Sequence, residues 1–216
     1  MIKQCNHGAI LRRITTRSGV LMLPDEIPNS AIEYFFHIRI LMAMFVSLSM
    51  SRIAIEAAKF IQFQDDHKPS RLQISWIITF SIFIINWWWD IIDDAEFTNI
   101  SFAYYIASIL YAFGFYFLTA LITPQGDSYD GNFDTYFMRI KKWFYALFIL
   151  NGFNSALIDC TLGNVDSDTY IELSICVISA GIFIYFSRRE NIRIHYHISL
   201  AILTLQILLL FLMILI

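Results

Sequence analysis

Charge is scarce in this chain of 216 residues: 15% are Asp, Glu, Lys or Arg, where a soluble domain carries about 25%. There is no basic excess either. The formal net charge is −3, and nothing points to a nucleic-acid partner, since the basic patch such binding needs is missing. Only three cysteines occur, Cys5, Cys160 and Cys176. An odd, scattered set is neither a disulfide framework nor a zinc site. Cys160 is expected in a loop, and Cys176 as a small packed hydrophobe in an apolar run. Eight glycines and four prolines form no long linker, and no low-complexity tract or internal repeat stands out. The H-E-x-x-H, G-x-S-x-G and G-x-x-x-x-G-K motifs are absent, as is the T-V-G-Y-G potassium filter. His195 and His197 stand two apart, on different faces of a helix, which makes a poor metal pair. No lysine follows Lys142, so the last apolar runs offer no amine for a retinal Schiff base. No metal or other cofactor is implied.

What is plentiful is apolar surface. Hydrophobic residues make up 57% of the chain and the mean hydropathy is +0.58, more than one water-soluble core can hide. The class is therefore an integral membrane protein. A bilayer core needs roughly 20 apolar helical residues to cross it. That ruler finds six runs: Phe35–Gln62, Leu72–Ile92, Ile100–Ile122, Trp143–Ile158, Tyr170–Phe186 and His197–Ile216. The fourth and fifth are short and carry Asn151, Asn154 and Glu172. Four true spans with a re-entrant pair is the alternative. The expected fold is an all-α, polytopic transmembrane helix bundle of six spans.

Lys and Arg collect on the cytoplasmic side of membrane proteins. The connections carry Lys68 and Arg71, then no basic residue, then Arg139, Lys141 and Lys142, then none, then Arg188, Arg189 and Arg193. This alternation places three basic loops inside and both termini outside. Lys3, Arg12, Arg13 and Arg17 break the rule, but all precede Met22. Residues 1–34 are therefore expected to be an N-terminal arm, with 1–21 either an upstream extension of a chain that starts at Met22 or a disordered arm. Residues 35–216 form the bundle.

In INWWWDIIDDAEF, three tryptophans meet Asp90, Asp93, Asp94 and Glu96. Indole rings favour the headgroup boundary, so Trp87, Trp88 and Trp89 are expected to anchor the outer end of the second span. Trp76 and Trp143 are expected in the inner belt.

Ionisable residues inside spans are costly and mark candidate sites. Arg52, Glu56 and Lys59 share one helical face. Arg52 is expected to pair with Glu56 or reach the inner headgroups. Arg39 and Asp90 form an expected structural pair locking the first two spans. Weaker polar stripes run through the other spans: Ser75, Thr79, Asn86 and Asp90; Tyr104, Ser108, Tyr111 and Thr119; Asn151, Asn154 and Ser155; Glu172, Cys176 and Ser179; His195, Ser199 and Gln206. They are read as facing a common interior, either as helix contacts or as a wetted path. The candidate binding or ion-path residues are Arg52, Glu56, Lys59, Asn86, Asp90, Asn151 and Asn154. Asp127, Asp130 and Asp134 depart from calcium-loop spacing and read as an acidic turn.

The run LSMSRIAIEAAKFIQ, the helix ending NWWWD, and YDGNFDTYF ahead of KKWF resemble a family of small, uncharacterised bacterial multi-pass membrane proteins. The resemblance covers most of the chain after Met22. It implies the bacterial cytoplasmic membrane and brings no activity or site residue. The leading function is passage or sensing of an ion or small solute through a polar bundle interior. An accessory subunit acting through a membrane partner protein is the second reading. An embedded enzyme using Glu56 or the Asp90 group as acid or base is the third and least favoured. The partners expected are the lipid bilayer and either a second copy of the chain or a membrane partner protein.

Overall fold

The computed structural model describes residues 29–62, 70–93, 101–125, 132–161 and 167–215. All regular structure among them is helical: α1 (Asn29–Gln62), α2 (Arg71–Asp93), α3 (Phe102–Ile122), α4 (Phe133–Thr161), α5 (Ser167–Ser187) and α6 (Ile192–Leu215). The first helix starts inside the expected arm, because residues 29–34 already belong to α1. The 1–21 extension lies outside the described residues.

Four helix starts carry the short polar caps that such positions favour. Ser101 accepts a hydrogen bond from the Tyr104 amide at 3.1 Å, and Ser70 does the same for Leu72 at 3.1 Å. Asn132 accepts from Thr135 at 3.3 Å, and Asn191 from Arg193 at 3.0 Å. The Ser70 hydroxyl also donates to Asp134, tying the starts of α2 and α4 together. Asp134 lies in the first turn of α4, where the helix dipole favours a carboxylate. Asp127 and Asp130 lie outside the described residues.

The helices alternate in direction. The ends of α1, α3 and α5 meet the starts of α2, α4 and α6 at one end of the bundle. Arg71, Arg139, Lys141, Lys142, Arg188, Arg189 and Arg193 all lie at that basic end. Arg139, Lys141 and Lys142 stand inside α4, not in a loop before it, because α4 begins at Phe133. Cys160 likewise lies in the last turn of α4, exposed, and not in a loop.

α3 packs against α1 and α4, α5 against α4, and α6 against α2. The core is aromatic. Trp76, Phe80, Phe144 and Phe148 form mutual ring contacts between 4.7 and 6.3 Å, and Phe183 closes on Phe148 at 5.2 Å. Large apolar side chains also cover the outside, among them Ile40, Leu48, Leu110, Leu150 and Leu209. A soluble protein does not display that much apolar surface, whereas a lipid-facing one does.

Among the described residues, four helices are long and apolar enough to cross a membrane: Phe36–Gln62, Arg71–Trp89, Phe102–Ile122 and Ile192–Phe211. α5 contributes a shorter apolar stretch, Leu173–Ser187. The chain is a multi-pass membrane protein in contact with lipid.

Candidate functional site: a buried charge cluster at the basic end

At the end of α3 the backbone runs out of helical partners, and in lipid unpaired carbonyls are costly. Side chains from two other helices meet them. Thr119 O is already satisfied by the Thr123 amide at 3.0 Å and also accepts the Thr123 hydroxyl at 2.7 Å. Gln73, from α2, donates to Ile122 O at 3.2 Å. Arg52, from α1, donates from Nη2 to Thr123 O at 3.1 Å and from Nε to Thr123 Oγ1 at 3.2 Å. The positive guanidinium thus sits at the negative end of the α3 dipole, with its carbon 5.9 Å from the centre of the Tyr116 ring.

This corrects the expected Arg52–Glu56 pair. Arg52 and Glu56 share a face of α1, but the guanidinium turns to the free carbonyls of α3, which one helix by itself cannot reveal. Glu56 pairs instead with Lys59, Nζ to Oε2 at 3.1 Å, and accepts from Gln73 Nε2 at 3.0 Å. Glu56 is 1% exposed, while the Lys59 side chain is 29% exposed. Glu56 lies six residues before the end of the first span, roughly 9 Å along the helix axis. The carboxylate is therefore buried at the level where α3 ends and α2 begins, and it pairs with the more exposed Lys59. Tyr136 lies near this cluster; burial raises its pKa and the Arg52 charge opposes that rise.

A second polar network stands beside the first. His195 Nδ1 and the Tyr145 hydroxyl are 2.8 Å apart and both buried. His195 Nε2 lies 3.1 Å from Arg189 O, which also accepts from the buried Lys141 ammonium. Lys141 has its pKa lowered, first by burial and then by neighbouring Lys142, with Glu190 pulling the other way. One turn farther along α6, Ser199 donates to Ser75 of α2 at 2.6 Å.

The remaining stripes largely turn inward. Ser75, Thr79, Ser108, Thr119, Asn151 and Gln206 are buried, and Asn86 and Asn154 are half-buried. Most of the small hydroxyls spend their bond on their own helix: Thr79 donates to Ser75 O, Ser49 to Phe45 O and Thr119 to Phe115 O. Asn154 crosses to α3 and donates to Ala107 O at 2.8 Å. A Cβ added to Gly114 of α3 would stand 2.0 Å from Asn151 Oδ1, so the amide occupies the space a side chain would take. Cys176 donates to Gly152 O at 3.4 Å, joining α5 to α4. The Asp90 and Glu172 side chains lie outside the described residues, so the Arg39–Asp90 pair is not placed. Arg39 itself is half-buried.

The tryptophans divide. Trp89 and Trp143 are 62% and 73% exposed, as anchors would be. Trp87 packs on Tyr111 and Phe115 at 5.0 and 5.6 Å, and Trp88 is half-buried against the Ile38–Met42 cluster. Trp76 is a correction: it is 0% exposed and its indole N–H has no partner. Its face of α2 turns to Phe144 and Phe148 of α4, so it fills the core and anchors nothing.

Sequence reasoning passed over Gln73, Thr123, Tyr145 and Gly114, and read Lys141 only as a cation of a connection. A polar Gln73 one residue inside an apolar run was the available signal for the first. The others required knowledge of neighbouring helices. Among the described residues no three of His, Cys, Asp and Glu gather closely enough to hold a metal ion. Comparison with protein-family models, with curated proteins and with solved structures finds no match to this chain.

Proposed function

We propose that this multi-pass protein binds an ion or small solute at Glu56 and passes or senses it at the basic end of the bundle. The observation that carries this reading is the Glu56 carboxylate, buried at the basic end of the bundle between Lys59 and Gln73. Arg52 and Gln73 are explained by capping α3. Glu56 is not, since the carbonyls it stands near need donors and a carboxylate supplies none. A buried ionisable group at the end of a span is a candidate working one.

Beyond the cluster, Trp76, Phe80, Phe115 and Phe148 fill the interior. They form the barrier of a closed state, and passage requires these rings to move. The alternation of basic and bare connections supports six crossings of a bacterial cytoplasmic membrane with the basic end inside.

The test is flux of protons and monovalent cations in liposomes holding the purified chain. Wild-type flux at least tenfold above Glu56→Gln, with both proteins equally folded, is the expected result. Folded protein without flux, co-purifying with a stoichiometric second chain, would replace this reading with the accessory one.

A further inference from the structure

α5 and α6 are joined by the short connection 188–191, yet they diverge at once, α5 onto α4 and α6 onto α2. Two openings result. Between α5 and α6 runs an apolar groove of about 470 Å³, lined by Phe183, Phe186, Ile198, Ala201 and Leu205 among others. Between the α5 end and the first turns of α4 lies a cleft of about 730 Å³, lined by Arg139, Lys141, Lys142 and Arg188, with Glu190 its single carboxylate. Phe183 of the groove and Ser187 of the cleft stand one turn apart on α5, so on the same face. The groove therefore leads into the apolar layer from the level of the cleft.

The depth is that of lipid headgroups. The apolar stretch of α5 ends at Ser187 and that of α6 begins at Ile192, which places Arg188 and Glu190 at the boundary of the apolar layer. Four cations against one carboxylate give the cleft a net positive lining. We propose that cleft and groove together bind one anionic phospholipid, its phosphate among Arg139, Lys142 and Arg188 and one acyl chain between α5 and α6. Charge complementarity selects the headgroup. The apolar lining, open between two lipid-facing helices, selects the chain. Lys141, already donating to Arg189 O, holds its charge fixed at the cleft floor. Three of the four cations, Arg139, Lys142 and Arg188, are exposed, so replacing them leaves the packed core untouched.

The experiment titrates the full chain, in detergent, with dioleoyl phosphatidylglycerol, dioleoyl phosphatidylcholine or glycerol 3-phosphate, and reads occupancy by native mass spectrometry. Each neutralisation among Arg139→Gln, Lys142→Gln and Arg188→Gln should weaken phosphatidylglycerol binding about fivefold, and all three together about a hundredfold. Ala201→Phe and Leu205→Trp, two separate ways to fill the groove, should weaken it as well. Phosphatidylcholine should bind at least tenfold more weakly than phosphatidylglycerol. Equal binding of the two lipids would overturn the proposal, as would phosphatidylglycerol binding unchanged in folded groove variants. Glycerol 3-phosphate binding as tightly as the lipid would overturn it in favour of a soluble phosphate.

Discussion

Gln73 Nε2 donates to Glu56 Oε1 at 3.0 Å and, through its second N–H, to Ile122 O at 3.2 Å. One amide thus joins α1, α2 and α3 while capping the last. Gln73→Leu keeps much of the volume but leaves a carboxylate oxygen and a carbonyl short of a donor. It should cost about 1.5–3 kcal/mol, seen as an earlier unfolding midpoint in a denaturing-detergent titration. An unchanged midpoint would mean that water reaches both acceptors.

Arg52 serves α3 and Glu56 serves Lys59 and Gln73. A double-mutant cycle of Gln73→Leu with Glu56→Leu should therefore show coupling of about 1 kcal/mol or more. The cycle of Arg52→Leu with Glu56→Leu should show less, because those side chains have different partners. Stronger coupling in the second cycle would restore the direct pair that sequence spacing suggests.

Gly114 and Asn151 hold α3 and α4 at close approach, since an added Cβ would lie 2.0 Å from the amide oxygen. Gly114→Ala should destabilise by about 1–3 kcal/mol through overpacking, despite alanine's better helix propensity. Gly114→Ala with Asn151→Ala should recover much of that loss, as the carbonyl that clashes is gone. Failure of the second change to help would place the strain elsewhere.

The tryptophans offer a sharp contrast in one residue type. Trp76→Ala empties a fully buried site and should cost about 3–5 kcal/mol. Trp89→Ala, at an exposed site, should stay within about 0.5 kcal/mol. Equal losses, measured as midpoints in the same titration, would contradict the burial pattern.

Six crossings put Cys160 and Arg189 on opposite sides of the membrane. In a Cys5→Ser, Cys176→Ser background, an impermeant maleimide added to intact cells should label Cys160. It should not label Arg189→Cys once Cys160 is also replaced by Ser. Labelling of both from one side would remove the six-crossing topology.

Membrane residence, the helical class and the grouping of basic residues at one end were determined by the sequence alone. Each rests on a local quantity: apolar length against bilayer thickness, or the sign of charge in a connection. The inward turn of stripes such as Ser75–Thr79 and His195–Ser199 was legible too, because a helix in lipid hides its polar face. Tertiary structure decided the rest. Whether Arg52 meets Glu56 or Thr123 depends on which helix ends beside α1, and that α3 ends there with bare carbonyls is a property of packing. Trp76 and Trp89 are the same residue on the same helix. Only the azimuth set by α4 sends one into the core and leaves the other exposed.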